Sequence, residues 1–329
     1  MPKLDPFSPE LRERVVASLQ EWEGLFAAPD PEAFFPSQSA NLTWAKAWGS
    51  AQAEAFSPGL GWWMAELCRL VYTPDQKERE QKRFAKWPRR ESILDRVAGV
   101  EEILSIHKTG NHAAIFRVGT DSSCRATVLC FRGTSRTRQW IMNTVTRPHR
   151  WRRFEAAGTA PGARVHSGFY VFFKRIWPQV ESVLRQQPRP WIFTGHSLGG
   201  ALAMIAAMVM NPDRVLTFGA PKVGNLSLGS ALKTDQIERF VNGFDLVPRL
   251  PSRDTRLRDR EFALLGSSVK LDPDGVMEPF ETADEELKLP FRSGRIRGHG
   301  ELGPPRWLAD HLIGEYCNRL ARAASTVET

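Results

Sequence analysis

The sequence contains few cysteines, and their arrangement argues against a zinc site or a disulfide framework. Four occur in 329 residues, namely Cys68, Cys124, Cys130 and Cys317. Their spacing matches none of the paired patterns that bind zinc. We therefore expect free thiols, buried where the flanking residues are apolar, and neither a metal nor a cofactor.

The chain also lacks a long hydrophobic run. Its first residues carry no apolar stretch of the kind found in secretory signal peptides. The longest apolar run, residues 198–210, is shorter than the roughly 20 residues that cross a bilayer. These two absences predict a cytoplasmic protein, with export without a leader left open.

Charge is unbalanced, but no motif typical of nucleic-acid binding is present. The chain has 45 Lys and Arg against 37 Asp and Glu, a formal net charge of +8. Because the acidic residues are spread through much of the chain, we expect no nucleic-acid partner. An anionic membrane or lipid surface is the better match for this charge, and a merely solvated face is the alternative.

Hydrophobic periodicity predicts strands that alternate with helices. The predicted strands lie at 103–106, 113–118, 126–131, 191–193, 215–218 and 237–241, and the predicted helices at 8–26, 61–72, 169–184, 201–210 and 307–321. This alternation is typical of an α/β protein with a mostly parallel central sheet flanked by helices. No regular structure is predicted for residues 252–305.

The most informative stretch is Gly195-His196-Ser197-Leu198-Gly199, with a predicted strand before it and a predicted helix after it. A tight strand-to-helix turn would hold Ser197 at the end of the strand, with the helix N-terminus behind it. Glycines at both ends of the pentad remove the Cβ atoms that would collide as strand and helix approach each other. The stretch therefore predicts a nucleophilic serine.

A serine nucleophile needs a base and an acid that orients the base. When the serine lies on such a strand-to-helix turn, the triad members follow one another in the sequence as Ser, then Asp or Glu, then His. His299, between two glycines, and His311, near the start of the last helix, are the two candidates for the base, and His311 is the better anchored. Asp245 follows a predicted strand in an apolar setting and is the candidate acid. His196 adjoins Ser197, so we expect its side chain to point away from the hydroxyl.

An oxyanion hole requires two donors fixed where negative charge develops. The backbone N–H of Leu198, at the start of the helix, is one candidate. The loop after the predicted strand 126–131 supplies the other, the N–H of Thr134, because Gly133 lets the backbone turn there.

Several segments together resemble the class 3 lipases, a family that includes the triacylglycerol lipases of filamentous fungi and many bacterial relatives. They cover roughly residues 60–325 and include Phe131-Arg132-Gly133-Thr134, Val165-His166-Ser167-Gly168-Phe169, Gly195-His196-Ser197-Leu198-Gly199-Gly200, Gly219-Ala220-Pro221-Lys222-Val223-Gly224-Asn225 and Asp245-Leu246-Val247-Pro248-Arg249. The resemblance implies an α/β-hydrolase fold, a triad of Ser197, Asp245 and His311, and an oxyanion residue at Thr134. It also implies a structural role for His166. The secreted fungal members have a signal and disulfides, and this sequence shows neither. We therefore expect a bacterial-type member.

The resemblance further implies a lid after the oxyanion loop. Residues 1–58 would form an N-terminal helical extension and residues 59–325 the catalytic domain, with a helical lid at about 135–153. Trp140 and Ile141 lie on the apolar face of this lid, and no acidic residue occurs between Asp121 and Glu155. An apolar stripe bordered by arginines can lie on a lipid or emulsion surface, and a solvated basic loop is the alternative.

These observations predict a carboxylic ester hydrolase that cleaves acylglycerols through an acyl-enzyme. A phospholipase A1 or a short-chain esterase could use the same residues. A catalytically silent protein that uses this fold for binding is the remaining alternative, and the complete set of Ser, Asp, His and oxyanion residues argues against it.

Overall fold

The computed structural model of the protein describes residues 30–36, 42–53, 55–74, 87–108, 111–133, 151–153, 160–251, 262–282, 285–286 and 306–326. An eight-stranded sheet forms the centre of this structure. Its strands are β1 (Val100–Lys108), β2 (Asn111–Val118), β3 (Ala126–Phe131), β6 (Trp191–His196), β7 (Arg214–Phe218), β8 (Ile237–Asn242), β9 (Ser267–Leu271) and β10 (Met277–Pro279). A separate pair is formed by β4 (Trp151–Arg153) and β5 (Arg164–His166).

The spatial order of the sheet is β1-β2-β3-β6-β7-β8-β9-β10. The five strands from β3 to β9 in this order run parallel to one another, whereas β1, β2 and β10 pair antiparallel at the two edges. The carboxyl ends of the parallel strands therefore meet at one edge of the sheet, where open α/β sheets place their ligands.

Helices cover both faces of the sheet. They are α1 (Trp44–Ala53), α2 (Pro58–Leu70), α3 (Arg90–Leu94), α4 (Ser167–Leu184), α5 (Leu198–Met210), α6 (Arg306–His311) and α7 (Ile313–Thr326). Short 3-10 turns occupy Pro31–Ala33, Ser122–Cys124, Leu226–Ala231, Thr234–Gln236 and Val247–Arg249. No helix in the described ranges is both long and apolar enough to cross a membrane.

Two hydrophobic cores lie on opposite faces of the sheet. Helices α4 and α5 pack on one face, and α1, α2 and α7 pack on the other. Twelve of the thirteen residues of α5 are buried, which explains why its sequence is apolar on all sides. Helix α2 begins with Ser57, whose side chain accepts the N–H of Leu60, and with Pro58 in the first turn.

The structure confirms the predicted mostly parallel sheet flanked by helices and corrects several boundaries. The predicted helix 307–321 is divided at Leu312 into α6 and α7. Strands β9 and β10 lie in the stretch 252–305, for which no regular structure was expected. Residues 151–153, at the end of the predicted helical lid, form a strand because their backbone pairs with β5. The predicted helix 8–26 lies outside the described residues.

Candidate active site

A sharp turn carries Ser197 between β6 and α5. We call residues 195–200 the serine turn. Ser197 has φ 57° and ψ −128°, a backbone conformation that non-glycine residues rarely adopt. A Cβ at Gly195 would lie 2.2 Å from the carbonyl carbon of Gly199, and one at Gly199 would lie 2.1 Å from the carbonyl oxygen of Phe131. Both glycines are therefore required by close backbone approach.

Three side chains from three elements form one hydrogen-bonded chain in this turn. The Nε2 atom of His311, the last residue of α6, lies 3.0 Å from the Oγ of Ser197. The Nδ1 atom of the same ring lies 2.8 Å from the Oδ2 of Asp245, in the loop after β8. Since the carboxylate accepts, Nδ1 carries the proton and Nε2 accepts from the serine hydroxyl. Each of the three residues is at most 1% exposed.

The buried carboxylate of Asp245 accepts hydrogen bonds at both of its oxygens. Its Oδ1 accepts the backbone N–H of Val247 at 2.9 Å. Its Oδ2 accepts the hydroxyl of Tyr316 at 2.7 Å in addition to the ring of His311. A buried carboxylate is costly unless it is paired in this way.

Tyr316, in α7, is a residue of the site that the sequence patterns did not reveal. Its hydroxyl oxygen accepts the backbone N–H of Asn242 at 3.1 Å while its proton goes to Asp245. Burial raises the pKa of Tyr316 well above 10.0, and the nearby Asp245 raises it further. The phenol therefore remains a donor throughout the neutral range.

Asp310, the residue before His311, is held in a separate hydrogen-bond network. Asp310 accepts the backbone N–H of Phe244 and the guanidinium of Arg319, at 2.9 and 2.5 Å. The side-chain amide of Asn242 donates to the carbonyl of Asp310 at 2.8 Å. Burial raises the pKa of Asp310, and Arg319 opposes that effect. Asp310 thus secures the end of α6 and does not contact the imidazole in the role of Asp245.

Neither His196 nor His166 takes the place of the base, and His299 is not described by the structure. The side chain of His196 points away from the hydroxyl of Ser197, with Nε2 2.7 Å from the carbonyl oxygen of His311. His166 caps α4, its Nδ1 accepting the backbone N–H of Phe169. His299 lies outside the described residues, as do Thr134, Trp140 and Ile141.

The backbone around the serine supplies the start of an oxyanion site. Leu198 is the first residue of α5, and the first N–H groups of a helix have no intrahelical acceptor. Gly133 lies beside the same turn, because a Cβ on it would be 2.9 Å from the carbonyl oxygen of His196. The loop that continues into Thr134 therefore leaves β3 next to Ser197.

This arrangement can activate the serine hydroxyl by removing its proton to His311. In the described part of the chain, no group of three or more His, Cys, Asp and Glu side chains is placed to hold a metal ion. The four cysteines are free: Cys68, Cys130 and Cys317 are buried, and Cys124 is partly exposed.

Comparison with known proteins supports the family resemblance. The family described as "Lipase (class 3)" matches residues 128–255. The secreted mono- and diacylglycerol lipase 1 of Fusarium solani is 30% identical over 145 residues, 41% of this chain and 42% of that protein. Phospholipase A(1) DAD1 of Arabidopsis thaliana, a chloroplastic protein, is 26% identical over 169 residues, 44% of this chain and 38% of that protein.

A solved structure supports the fold. The crystal structure of a mutant form of MDLA from Penicillium cyclopium superimposes with a TM-score of 0.53 at 18% identity, over 78% of this chain and 94% of that chain. At this identity the likeness concerns the fold alone. It agrees with the α/β-hydrolase architecture predicted above.

Two expectations are corrected by these relatives. The cytoplasmic location is wrong, because the Fusarium relative is a secreted protein and the similarity points to secretion. The two curated relatives come from a fungus and a plant, which gives no support to a bacterial-type member. The matched part of this chain spans less than half the length of each of these relatives.

Proposed function

We propose that this chain, a member of the class 3 lipase family through residues 128–255, is a serine hydrolase that cleaves carboxylic esters of acylglycerols. The observation that carries the proposal is the hydrogen-bonded chain from Ser197 through His311 to Asp245. Its two distances, 3.0 and 2.8 Å, are those of a base in contact with both its nucleophile and its orienting acid.

In the proposed mechanism, the Oγ of Ser197 attacks the ester carbonyl while Nε2 of His311 takes its proton. Asp245 stabilises the imidazolium that forms, and the hydroxyl of Tyr316 shares the same carboxylate oxygen. The backbone N–H groups of Leu198 and Thr134 receive the developing oxyanion. His311 then protonates the departing alcohol. In the second half of the reaction His311 takes a proton from water, the water attacks the acyl carbonyl, and His311 returns the proton to Ser197 as the fatty acid leaves.

The substrate class rests on the relatives. The Fusarium protein is a lipase of mono- and diacylglycerols, and acylglycerols are therefore the first candidates for this chain. The Arabidopsis protein is a phospholipase A(1), which supports phospholipids as the alternative substrate of the same site. No cofactor takes part in the proposed reaction.

The proposal retains a lid and an interfacial partner. Ser197 has no exposed surface in the structure, so a substrate reaches it after a conformational opening. We propose residues 135–153 as the moving segment and an anionic membrane or emulsion as the surface it meets. We propose a division into an extension, residues 1–58, and a catalytic domain, residues 59–325. Five side chains before residue 58 belong to the core that contains α2, namely Phe34, Leu42, Trp44, Ala47 and Ala51.

The test is the variant Ser197→Ala. It should abolish ester hydrolysis and labelling by a fluorophosphonate while thermal unfolding stays unchanged, because the hydroxyl is the attacking group. Loss of a triad member typically lowers kcat by about four to six orders of magnitude. A rate within tenfold of the parent would exclude Ser197 as the nucleophile.

Substrate preference is measured on the parent enzyme. A series of p-nitrophenyl esters of increasing acyl length, with triglyceride and phospholipid emulsions beside it, separates lipase, phospholipase and esterase. Absence of hydrolysis across the whole series, with Ser197 not labelled by the fluorophosphonate, would favour the alternative of a catalytically silent protein that uses this fold for binding.

A further inference from the structure

A second histidine lies against the base and has no part in the mechanism above. His196 is 5% exposed, and its ring centroid lies 4.7 Å from that of His311. Its Nε2 is 2.7 Å from the backbone carbonyl oxygen of His311, and its Nδ1 is 2.9 Å from the hydroxyl of Tyr72. Tyr72 lies two residues beyond the end of α2.

The chemistry of these partners fixes the proton positions. A carbonyl oxygen can only accept a hydrogen bond. Nε2 of His196 therefore carries a proton and donates a hydrogen bond to the backbone carbonyl of His311. Burial lowers the pKa of His196 well below 6.5, and the neighbouring His311 lowers it further. The ring is therefore neutral, its Nδ1 accepts, and the hydroxyl of Tyr72 is the donor.

Tyr72 connects this histidine to the oxyanion loop. The Tyr72 hydroxyl packs directly against the backbone of Gly133, the last described residue before Thr134. The approach is close, because a Cβ on Gly133 would lie 2.1 Å from that hydroxyl oxygen. Burial raises the pKa of Tyr72, so the phenol keeps the proton that it donates to His196.

These four groups thus form a connected series. Gly133 packs against the Tyr72 hydroxyl, Tyr72 donates to His196, and His196 donates to the backbone carbonyl of His311. We propose that Tyr72 and His196 are positioning residues, which fix Gly133, at the start of the loop after β3, and the helix end that carries His311 relative to each other. This proposal rests on the proposed function, since it assigns a role to the distance between base and oxyanion site.

The base needs such an anchor because its own helix is short. Helix α6 has six residues and ends at His311, so the carbonyl of His311 lies beyond the last intrahelical donor. A displacement of about 1 Å in a reacting group can lower a rate a hundredfold. One hydrogen bond to that carbonyl from the residue beside Ser197 holds base and nucleophile in register.

The test compares four variants on the full chain. Tyr72→Phe removes the donor to His196 and keeps the ring. His196→Gln can place its amide nitrogen near the position of Nε2, whereas the shorter side chain of His196→Asn cannot reach the carbonyl of His311. Tyr170→Phe, at a partly buried tyrosine on α4, removes the chain's remaining tyrosine hydroxyl and is the matched control. Active sites are counted by stoichiometric reaction with a fluorophosphonate, and kcat and KM are measured on a short soluble ester.

We expect Tyr72→Phe and His196→Asn each to lower kcat per titrated site by about tenfold, with KM within about twofold of the parent. His196→Gln should retain more activity than His196→Asn. The double variant Tyr72→Phe/His196→Asn should lose little more than either single one, because both changes interrupt one chain. Tyr170→Phe should match the parent.

Two results would overturn the positioning role. One is a kcat per titrated site that equals the parent's in all variants, so that any loss follows only the number of folded enzymes. The other is an equal loss in His196→Gln and His196→Asn with additive effects in the double variant. A parent enzyme with neither hydrolysis nor a titratable serine would instead contradict the proposed function, and the positioning role with it.

Discussion

Replacing one histidine at a time distinguishes the two candidates for the base. We expect His311→Ala to be as damaging as Ser197→Ala, because His311 contacts both Ser197 and Asp245. His299→Ala should cost little. The measurement is kcat on a soluble ester, and the reverse order of the two effects would assign the base to His299.

The acid is tested by Asp245→Asn. The amide has one acceptor oxygen where the carboxylate has two, so its NH2 group must face either the N–H of Val247 or the donors His311 and Tyr316. The tautomer and orientation of the ring are then no longer fixed. By analogy with other triads, kcat should fall by about 10⁴. Near-normal turnover of this variant, with an unchanged unfolding temperature, would remove Asp245 from the triad.

Local motifs made some residues of the site predictable and left others out. Ser197 and its glycines lie within five positions, and backbone collision at this turn requires that spacing. Tyr72 and Tyr316 are distant in sequence and follow no local pattern. The one available signal was their rarity: the chain has three tyrosines, and two of them lie at the site.

At the scale of an element, the lid is the part of the proposal that solution kinetics can test. An apolar stripe that contains Trp140 should cover Ser197 in water, because exposing it costs about 25 cal/mol per Å². At a lipid surface the stripe can transfer to lipid, and each arginine near an anionic surface adds about 1 kcal/mol. We therefore expect higher activity on emulsified than on monomeric ester, and a larger gain on anionic vesicles that decreases as salt rises.

The control for the lid is Trp140→Ala. It should reduce the gain at the interface more than it reduces hydrolysis of a short soluble ester. Activity that follows total substrate concentration, with no step where the emulsion begins, would exclude an interfacial lid and describe an esterase with an open site.

Elements with strong periodicity were predictable, and weaker ones were not. Helix α5 is apolar on all sides and strand β3 is fully buried, so both stand out in the sequence. Strand β9 has five residues and only two of them, Val269 and Leu271, are apolar, which is too short a pattern to stand out in a polar stretch. The break between α6 and α7 at Leu312 has no glycine or proline at that position to announce it.

For the whole molecule, buried neutral histidines predict a loss of stability in acid. Burial lowers the pKa of His112 and of His196 well below 6.5. The unfolded chain therefore binds these protons more readily than the folded one. Their contribution to stability is complete above about pH 6.5 and is lost as the pH falls towards the folded-state values, by up to about 1.4 kcal/mol per pH unit for each histidine.

Urea unfolding at pH 7.5, 6.5, 5.5 and 4.5 measures this dependence. His112→Gln can keep a hydrogen bond to Ser105 without titrating, so its free energy of unfolding should fall less steeply with acid than the parent's. Parallel curves for the parent and His112→Gln would show that folding does not lower the pKa of His112, because the folded and unfolded states would then bind its proton equally.

The position of the base in the chain has a consequence for biosynthesis. Ser197 and Asp245 belong to the central strands and turns, whereas His311 and Tyr316 come from the last two described helices. A ribosome adds about 5–20 residues per second, so several seconds separate the synthesis of Asp245 from that of His311. During that interval the serine turn can fold while it still lacks its base. Without these two helices the growing polypeptide has no base beside Ser197, so the triad is complete only after the last described helices have been translated.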